Sequence, residues 1–128
     1  MENLLRAALL EWLRTDPALS SLNAVEEESP LSSSVPWLGI AASASTDWST
    51  KDATGREVRV ALELATQGDD PLADAGFVSA VEQRIESLPQ LQGSFTVISA
   101  RFLRARSERR SNNRRAVLLE YRFRILAN

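Results

Sequence analysis

Two segments of the chain alternate between apolar and polar residues, cleanly in 56–66 and less regularly in 115–127. In residues 56–66 the apolar positions of one parity are Val58, Val60, Leu62 and Leu64. In residues 115–127 they are Val117, Leu119, Tyr121, Phe123 and Ile125. A repeat of two is the period of a β-strand with one buried face. Both segments therefore predict strands of an antiparallel sheet with one face on a core and the other exposed.

Each alternating segment has a preceding partner, so the chain predicts two hairpins. Residues 35–45 form the first strand of one hairpin, and the polar segment 46–55 joins it to 56–66. Residues 94–105 precede 115–127, although their apolar residues fall on both parities. Asn112 and Asn113 lie in the second connection and tolerate the positive φ that a hairpin turn needs.

Two segments have the spacing of amphipathic helices. Residues 2–14 carry Leu5, Leu9 and Leu13 on one stripe, which predicts a helix. A second helix is predicted over about 71–87, with Asp70 as its N-cap and Asp74 adding negative charge to its first turns. Residues 20–34 are rich in serine and glutamate without periodicity, which predicts an irregular surface connection.

The order of elements is helix, two strands, helix, two strands. It predicts an α+β fold: an antiparallel or mixed sheet of about four strands in two hairpins, with two main helices on one face. We expect a single domain over residues 1–128. Such a sheet has two edges, and a long edge is either protected or used for assembly.

The composition argues against most enzymes. The 128 residues include no cysteine and no histidine, so thiolate and imidazole catalysis and metal sites built on these ligands are excluded. No glycine-rich phosphate loop occurs. We expect no enzyme, no cofactor and no metal site. A carboxylate hydrolase using Asp47 and Asp52 is a distant alternative, since their spacing fits an ordinary turn equally well.

The chain also has no segment typical of a membrane protein. No apolar run approaches the ~20 residues of a membrane helix. The N-terminal apolar stretch is interrupted by Arg6, Glu11 and Arg14, unlike a signal peptide. We therefore expect no membrane partner and a cytoplasmic location.

Residues 104–115 read RARSERRSNNRR and form the most unusual stretch. Its six arginines are Arg104, Arg106, Arg109, Arg110, Arg114 and Arg115. Three interpretations are open: a solvated hairpin tip, a protein interface, or phosphate contacts in a nucleic-acid-binding module. The chain has a net charge of −2 and a pI near 5.2, which argues against a dedicated DNA-binding domain. We take these arginines as candidate interface residues.

The polar connection 46–55 contains a second candidate. Trp48 either folds back over the body of the protein or is an exposed interface anchor, a role in which tryptophan is frequent. Lys51 and Asp52 follow it in the sequence DWSTKD. We include all three in the candidate interface.

In its linear pattern the chain resembles the tail-completion (tail-terminator) proteins of long-tailed phages and of gene transfer agents. The resemblance runs from LLRAALLEWLRTDPALSSL through PWLGI and STDWSTKDATGREVRVALEL to GFVSAVEQRIESL and the closing hairpin. The DWSTKD segment (47–52) is its most specific part. Residues 22–34 depart from the family pattern, which usually has a glycine-containing segment there.

The resemblance implies a structural role in the virion. Proteins of this family assemble as a ring, commonly a hexamer, on the head-proximal end of the tail tube. The ring stops tube polymerisation and joins the tail to the head connector. The implied partners are further copies of the chain, the tail tube protein and the head connector or adaptor protein, with DNA only passing through the lumen. The alternative is a small cytoplasmic nucleic-acid-binding module using residues 104–115.

Overall fold

The computed structural model describes residues 1–28 and 34–128. Two helices and five strands make up the described fold, which confirms the α+β class. The elements are α1 (Glu2–Arg14), β1 (Ala24–Glu26), β2 (Trp37–Asp47), β3 (Gly55–Gln67), α2 (Ala75–Glu86), β4 (Phe95–Arg109) and β5 (Arg114–Ala127). Short 3-10 turns occur at Pro17–Leu19 and Pro71–Asp74.

The strands form one mixed sheet in the order β1-β2-β3-β5-β4. β1 runs parallel to β2, and the other neighbours are antiparallel. The predicted number of strands was therefore one too low. β1 lies in residues 20–34, which were expected to be irregular; residues 29–33 of that segment lie outside the described residues. A strand of three residues is too short to display a repeat of two, so the sequence pattern could not indicate it.

The core lies between the sheet and the two helices. The predicted parities of β3 and β5 are confirmed, since Val58, Leu62, Leu119 and Phe123 are fully buried on the helix side. We call this side of the sheet its inner face and the opposite side its outer face. The helices contribute buried leucines and aliphatic residues: Leu5, Leu9, Leu13, Val81 and Ile85. Burying these stripes against the sheet is what holds both helices.

The second helix is shorter than predicted. Pro71–Asp74 form a 3-10 turn, and the Asp70 carboxylate accepts the Leu72 backbone N–H at 3.0 Å as the predicted cap. The α-helix begins only at Ala75. Asp74 was expected to add charge to the first turns, but its side chain is buried and paired with Arg115. The charge of a partner 41 residues away is what makes this burial possible.

β4 contains two register irregularities, at Ile98 and at Leu103. Each extra residue switches the parity, so Val97, Ala100 and Phe102 all share the inner face with Ala105. This explains why the apolar residues of 94–105 occur on both parities in the sequence.

The two hairpins turn at opposite ends of the sheet. The β2–β3 loop (48–54) lies at one end, and the β4–β5 turn (110–113) lies at the other, beside Gly68. β3 spans the distance between them, about 40 Å for its length at ~3.3 Å per residue. Asn112 and Asn113 adopt φ of 61° and 60°, as predicted for the turn.

Candidate functional site

The outer edge of β4 is open over most of its length. At the N-terminal end of β4, Leu91 forms a β-bridge with Thr96, and the backbone carbonyl of Gln90 accepts the Val97 N–H at 2.8 Å. Beyond this, β5 is the only strand paired with β4 in the described chain. We call residues 98–109 the β4 edge. Its backbone groups on the outer side are available to another strand.

Side chains of the β4 edge are exposed on both faces of the sheet. The inner-face residues Ala100, Phe102 and Ala105 are exposed. A pocket lined by Glu82 and Glu86 of α2 lies beside Ala100 and Phe102, so α2 does not cover this part of β4. Ile98, Phe102 and Leu103 are 43%, 46% and 37% exposed. Phe102 contacts Tyr121 edge-on, with ring centroids 5.5 Å apart, and its far side remains open. A strand with three exposed large apolar side chains and a free edge is incompletely covered in the single chain.

Three of the six arginines pair with carboxylates on the outer face. Arg104 makes a two-pronged contact with Glu120 on β5, at 2.6 and 3.1 Å, and this hydrogen bond lowers the pKa of Glu120. Arg106 and Arg110 both contact Glu108, at 3.0 and 3.1 Å. Their charges are therefore already partly compensated within the chain.

Arg110 also reaches across the sheet to β3. Its guanidinium lies 2.6 Å from a carboxylate oxygen of Glu63, which is only 8% exposed. The arginine of the turn thus compensates a carboxylate that would otherwise be buried without a partner. Arg110 is a structural residue of the hairpin rather than a free surface charge.

Arg115 lies on the inner face and is almost fully buried. It is 8% exposed and contacts both carboxylate oxygens of Asp74, at 2.9 and 3.1 Å. It also donates to the backbone carbonyl of Gly68. These contacts attach the turn before α2 to the sheet, so Arg115 does not contribute to a surface patch.

The remaining arginines of this hairpin differ from these. Arg109 and Arg114 are exposed, and no carboxylate of the described residues pairs with either of them. The same holds for Arg101 on the β4 edge. Within the β4–β5 hairpin, the positive charge available to a partner is therefore carried by Arg101, Arg109 and Arg114.

Trp48 folds back against the sheet instead of projecting into solvent. Its backbone N–H donates to the Gly55 carbonyl at 3.0 Å, and the guanidinium of Arg124 lies 5.4 Å from the centroid of its ring. Half-buried there, it covers the outer face rather than the core. Lys51 and Asp52 are exposed at the tip of the same loop.

The structure does not bring the two groups of candidate residues together. Trp48, Lys51 and Asp52 lie at the end of the sheet opposite to Arg109 and Arg114. If both groups take part in contacts, they form two separate surfaces.

Three glutamates, two of them paired with arginines of α1, lie at the opposite edge of the sheet. β1 pairs only with Trp37–Gly39 of β2, and Glu26, Glu27 and Glu28 lie beside this pairing. Residues 40–47 of β2 have β3 as their only strand neighbour in the described chain, and we call them the β2 edge.

Charge is divided between the two halves of the fold. Residues 95–127 contain nine arginines and only two glutamates. Residues 1–28 and 69–86 contain eleven carboxylates and three arginines. The basic hairpin and the acidic helical side are different surfaces, so like parts of two copies repel and unlike parts attract.

Sequence reasoning missed the carboxylates that organise the arginines. Along the chain, Glu63 lies 47 residues from its partner, Asp74 lies 41 residues from its partner, and Glu120 lies 16 residues from its partner. The alternation did contain one signal, because Glu63 and Glu120 fall on the outer-face parity of adjacent strands. Asp74 carried no comparable signal.

The described residues contain no group of three metal-ligating side chains close enough to hold an ion. None of the helices in residues 1–28 and 34–128 is long and apolar enough to cross a membrane.

Comparisons with known proteins agree with this geometry. A solved chain from the virion of a native gene transfer agent particle superimposes with a TM-score of 0.79, covering 95% of this chain and 94% of that chain. The two are 20% identical, so the likeness establishes the fold. No curated protein matches the sequence significantly. The profile of the family described as tail completion protein gp17 matches residues 7–126. The chain therefore belongs to the tail completion protein gp17 family and is a structural protein of a phage-type tail.

Proposed function

We propose that this chain is a tail terminator. Copies of it form a ring, of six subunits as the family resemblance implies, on the head-proximal end of the tail tube. The ring ends tube polymerisation and offers its other side to the head connector or adaptor protein. It is assembled in the cytoplasm and becomes part of the virion tail, and its work is done through contacts rather than catalysis.

The division of charge carries the proposal. The hairpin 95–127 has a charge of +7, whereas residues 1–28 and 69–86 together have −8. When the basic surface of one copy contacts the acidic surface of another, the pair still has one free acidic surface and one free basic surface. Contacts of this head-to-tail kind continue from copy to copy and close into a ring when the rotation allows.

The β4 edge also disfavours the simplest competing assembly. Two β4 edges that pair with each other would bring the unpaired Arg101 and Arg109 of both copies together. Like charges facing each other across paired strands are destabilising. A symmetric dimer through β4 is therefore selected against, while contact with an acidic surface is favoured.

A terminator ring also needs two different axial surfaces, one for the tube and one for the connector. The two ends of the sheet meet this need, since the loop with Trp48, Lys51 and Asp52 is about 40 Å from the turn with Arg109 and Arg114. In this arrangement DNA meets only the lining of the channel, without sequence recognition.

The nucleic-acid-binding alternative has less support. Arg104, Arg106, Arg110 and Arg115 are each paired with a carboxylate of the same chain. Phosphate binding would have to break or share these pairs. No aromatic side chain lies in residues 104–115 to stack on bases.

The experiment reverses the unpaired charges. The double variant Arg101→Glu/Arg109→Glu changes the charge of the β4 edge and breaks no ion pair of the described chain. Arg110→Glu is avoided because it would leave the buried Glu63 without its partner. The matched control, Arg56→Glu/Arg59→Glu, makes the same change of charge on exposed positions of β3. Each variant is supplied to producer cells that lack the gene, and tails are counted and measured by electron microscopy.

We expect the β4 variant to give over-long or headless tails, and the control to give normal particles. Normal particles with both variants would contradict the assembly role of the β4 edge. A strictly monomeric parent chain that binds duplex DNA with a steep salt dependence, and whose loss leaves tail length unchanged, would favour the nucleic-acid-binding alternative.

A further inference from the structure

We propose that neighbouring copies join by extending the sheet: the β4 edge of one copy pairs with the β2 edge of the next. This inference rests on the ring proposed above and names the strands that form it. The occupant of the β4 edge is thus a second copy of this chain.

The β4 edge has the form of an unfilled strand position. Its outer backbone groups lack a strand partner from Ile98 to Arg109 within the described chain, and its side chains are exposed on both faces. A strand added there makes main-chain hydrogen bonds, while side-chain contacts on either face provide selectivity. It would also cover Phe102 and Leu103, which are 46% and 37% exposed.

The β2 edge fits this position because its side chains are small. Residues 41–45 read AASAS, and most of them are exposed. Small side chains on both faces let another strand approach without steric conflict. The β2 edge spans residues 40–47, shorter than the β4 edge, so the whole of it can pair.

The charges beside the two edges are complementary. Glu28 lies next to the start of β2, beside Glu26 and Glu27, which are paired with Arg14 and Arg6 of the same chain, whereas Arg101 and Arg109 are unpaired on β4. Pairing of unlike edges brings these groups towards each other. Pairing of two β4 edges would instead bring the unpaired Arg101 and Arg109 of both copies near one another, which is repulsive.

A groove beside β4 adds an apolar contact on the inner face. About 390 Å³ of open space separates the start of α2 from β4, lined in part by Leu72, Val78 and Ala105. In a neighbour that pairs through β2, α1 lies on the same side of the sheet, since Arg6 donates to the Ser43 hydroxyl at 3.1 Å. Leu4 on α1 and Leu72 at the groove are 53% and 80% exposed in the single chain. The pairing would place α1 of the neighbour on the same side of the sheet as this groove.

The absence of native cysteine makes a disulfide test clean. One cysteine replaces Ala100, Ala105 or Ser107 on β4, and a second replaces Ser43 or Ser45 on β2, all on the inner face. Directly opposite residues of paired strands are close enough for a disulfide, and other registers are not. The control keeps the β4 cysteine and moves the second to exposed Ala18. Rings, observed by native mass spectrometry or on purified particles, are oxidised and separated without reductant.

We expect at least one β4–β2 combination to give a ladder extending beyond the dimer, and neither single-cysteine variants nor the control to do so. Intact rings without a ladder in any combination would overturn the edge pairing and leave the terminator function standing. A product that stops at the dimer would also overturn it. A parent chain that forms no ring, free or on particles, would instead contradict the proposed function.

Discussion

Replacing Asp74 with asparagine should lower the free energy of unfolding by about 3 kcal/mol. Asp74 and Arg115 are 6% and 8% exposed and are joined by two contacts of 2.9 and 3.1 Å. Removing one partner of a buried ion pair leaves an uncompensated charge and costs about 3–5 kcal/mol. The lower end applies because Arg115 keeps its hydrogen bond to the Gly68 carbonyl.

Urea unfolding monitored by circular dichroism measures this change. For a chain of this length, 3 kcal/mol corresponds to a decrease in Tm of about 10 °C. The matched control is Asp69→Asn, an exposed carboxylate in the same segment, which should stay within about 0.5 kcal/mol of the parent. The double variant Asp74→Leu/Arg115→Met removes both charges, and its free energy of unfolding should fall by less than that of Asp74→Asn alone.

The pair of Asp74 and Arg115 also predicts how the stability of the fold depends on pH. Burial alone would raise the pKa of Asp74, but the hydrogen bonds and the positive charge of Arg115 outweigh it and hold this pKa below its ordinary value. The stabilisation is therefore complete above the unfolded-state pKa of about 4 and is lost as the pH falls through the lower folded-state pKa. The difference between parent and Asp74→Asn should be constant from pH 7 to about pH 5 and shrink below about pH 4. If Asp74→Asn is as stable as the parent at pH 7, or the difference does not shrink in acid, the buried pair does not stabilise the fold as described.

Two further pairs of variants test packing. Gly55→Ala should destabilise the fold by about 1–3 kcal/mol, because the added Cβ would lie 2.5 Å from the Trp48 carbonyl oxygen and 2.6 Å from Leu126. Gly76→Ala in α2 should stabilise the fold slightly, because no atom lies within 4 Å of the added Cβ and alanine has the higher helix propensity. Equal effects in thermal unfolding would contradict the close approach at Gly55. Phe123→Ala, at 0% exposed, should cost about 3–5 kcal/mol. Phe102→Ala, at 46% exposed, should leave Tm nearly unchanged but reduce ring formation in native mass spectrometry, and an undiminished ring population would argue against a role for Phe102 in assembly.

The alternation of apolar and polar residues made the central strands predictable from the sequence. β3 and β5 bury Val58, Leu62, Leu119 and Phe123 on the predicted parity because a repeat of two has only one interpretation at that length. α1 was predicted with its observed bounds, Glu2–Arg14, since a leucine stripe and a following proline define both ends. The class of fold followed from the order of these elements.

Long-range pairing was beyond what the sequence could indicate. The partners of Arg110 and Arg115, Glu63 and Asp74, depend on which strands become neighbours. The two irregularities of β4 hid its parity, and β1 was too short to have one. Consequently the arginine-rich stretch seemed a single patch in the sequence. In the fold it divides into paired residues on the outer face, one buried residue, and the unpaired Arg109 and Arg114.

The measurement that tests the central claim most directly is a cryo-electron microscopy reconstruction of the head–tail junction of particles made with this chain. We predict one ring of copies at the head-proximal end of the tail tube, in which the β4 edge of each copy contacts a different surface of the next. Absence of the chain from that junction, or its presence as pairs with β4 against β4, would contradict the account.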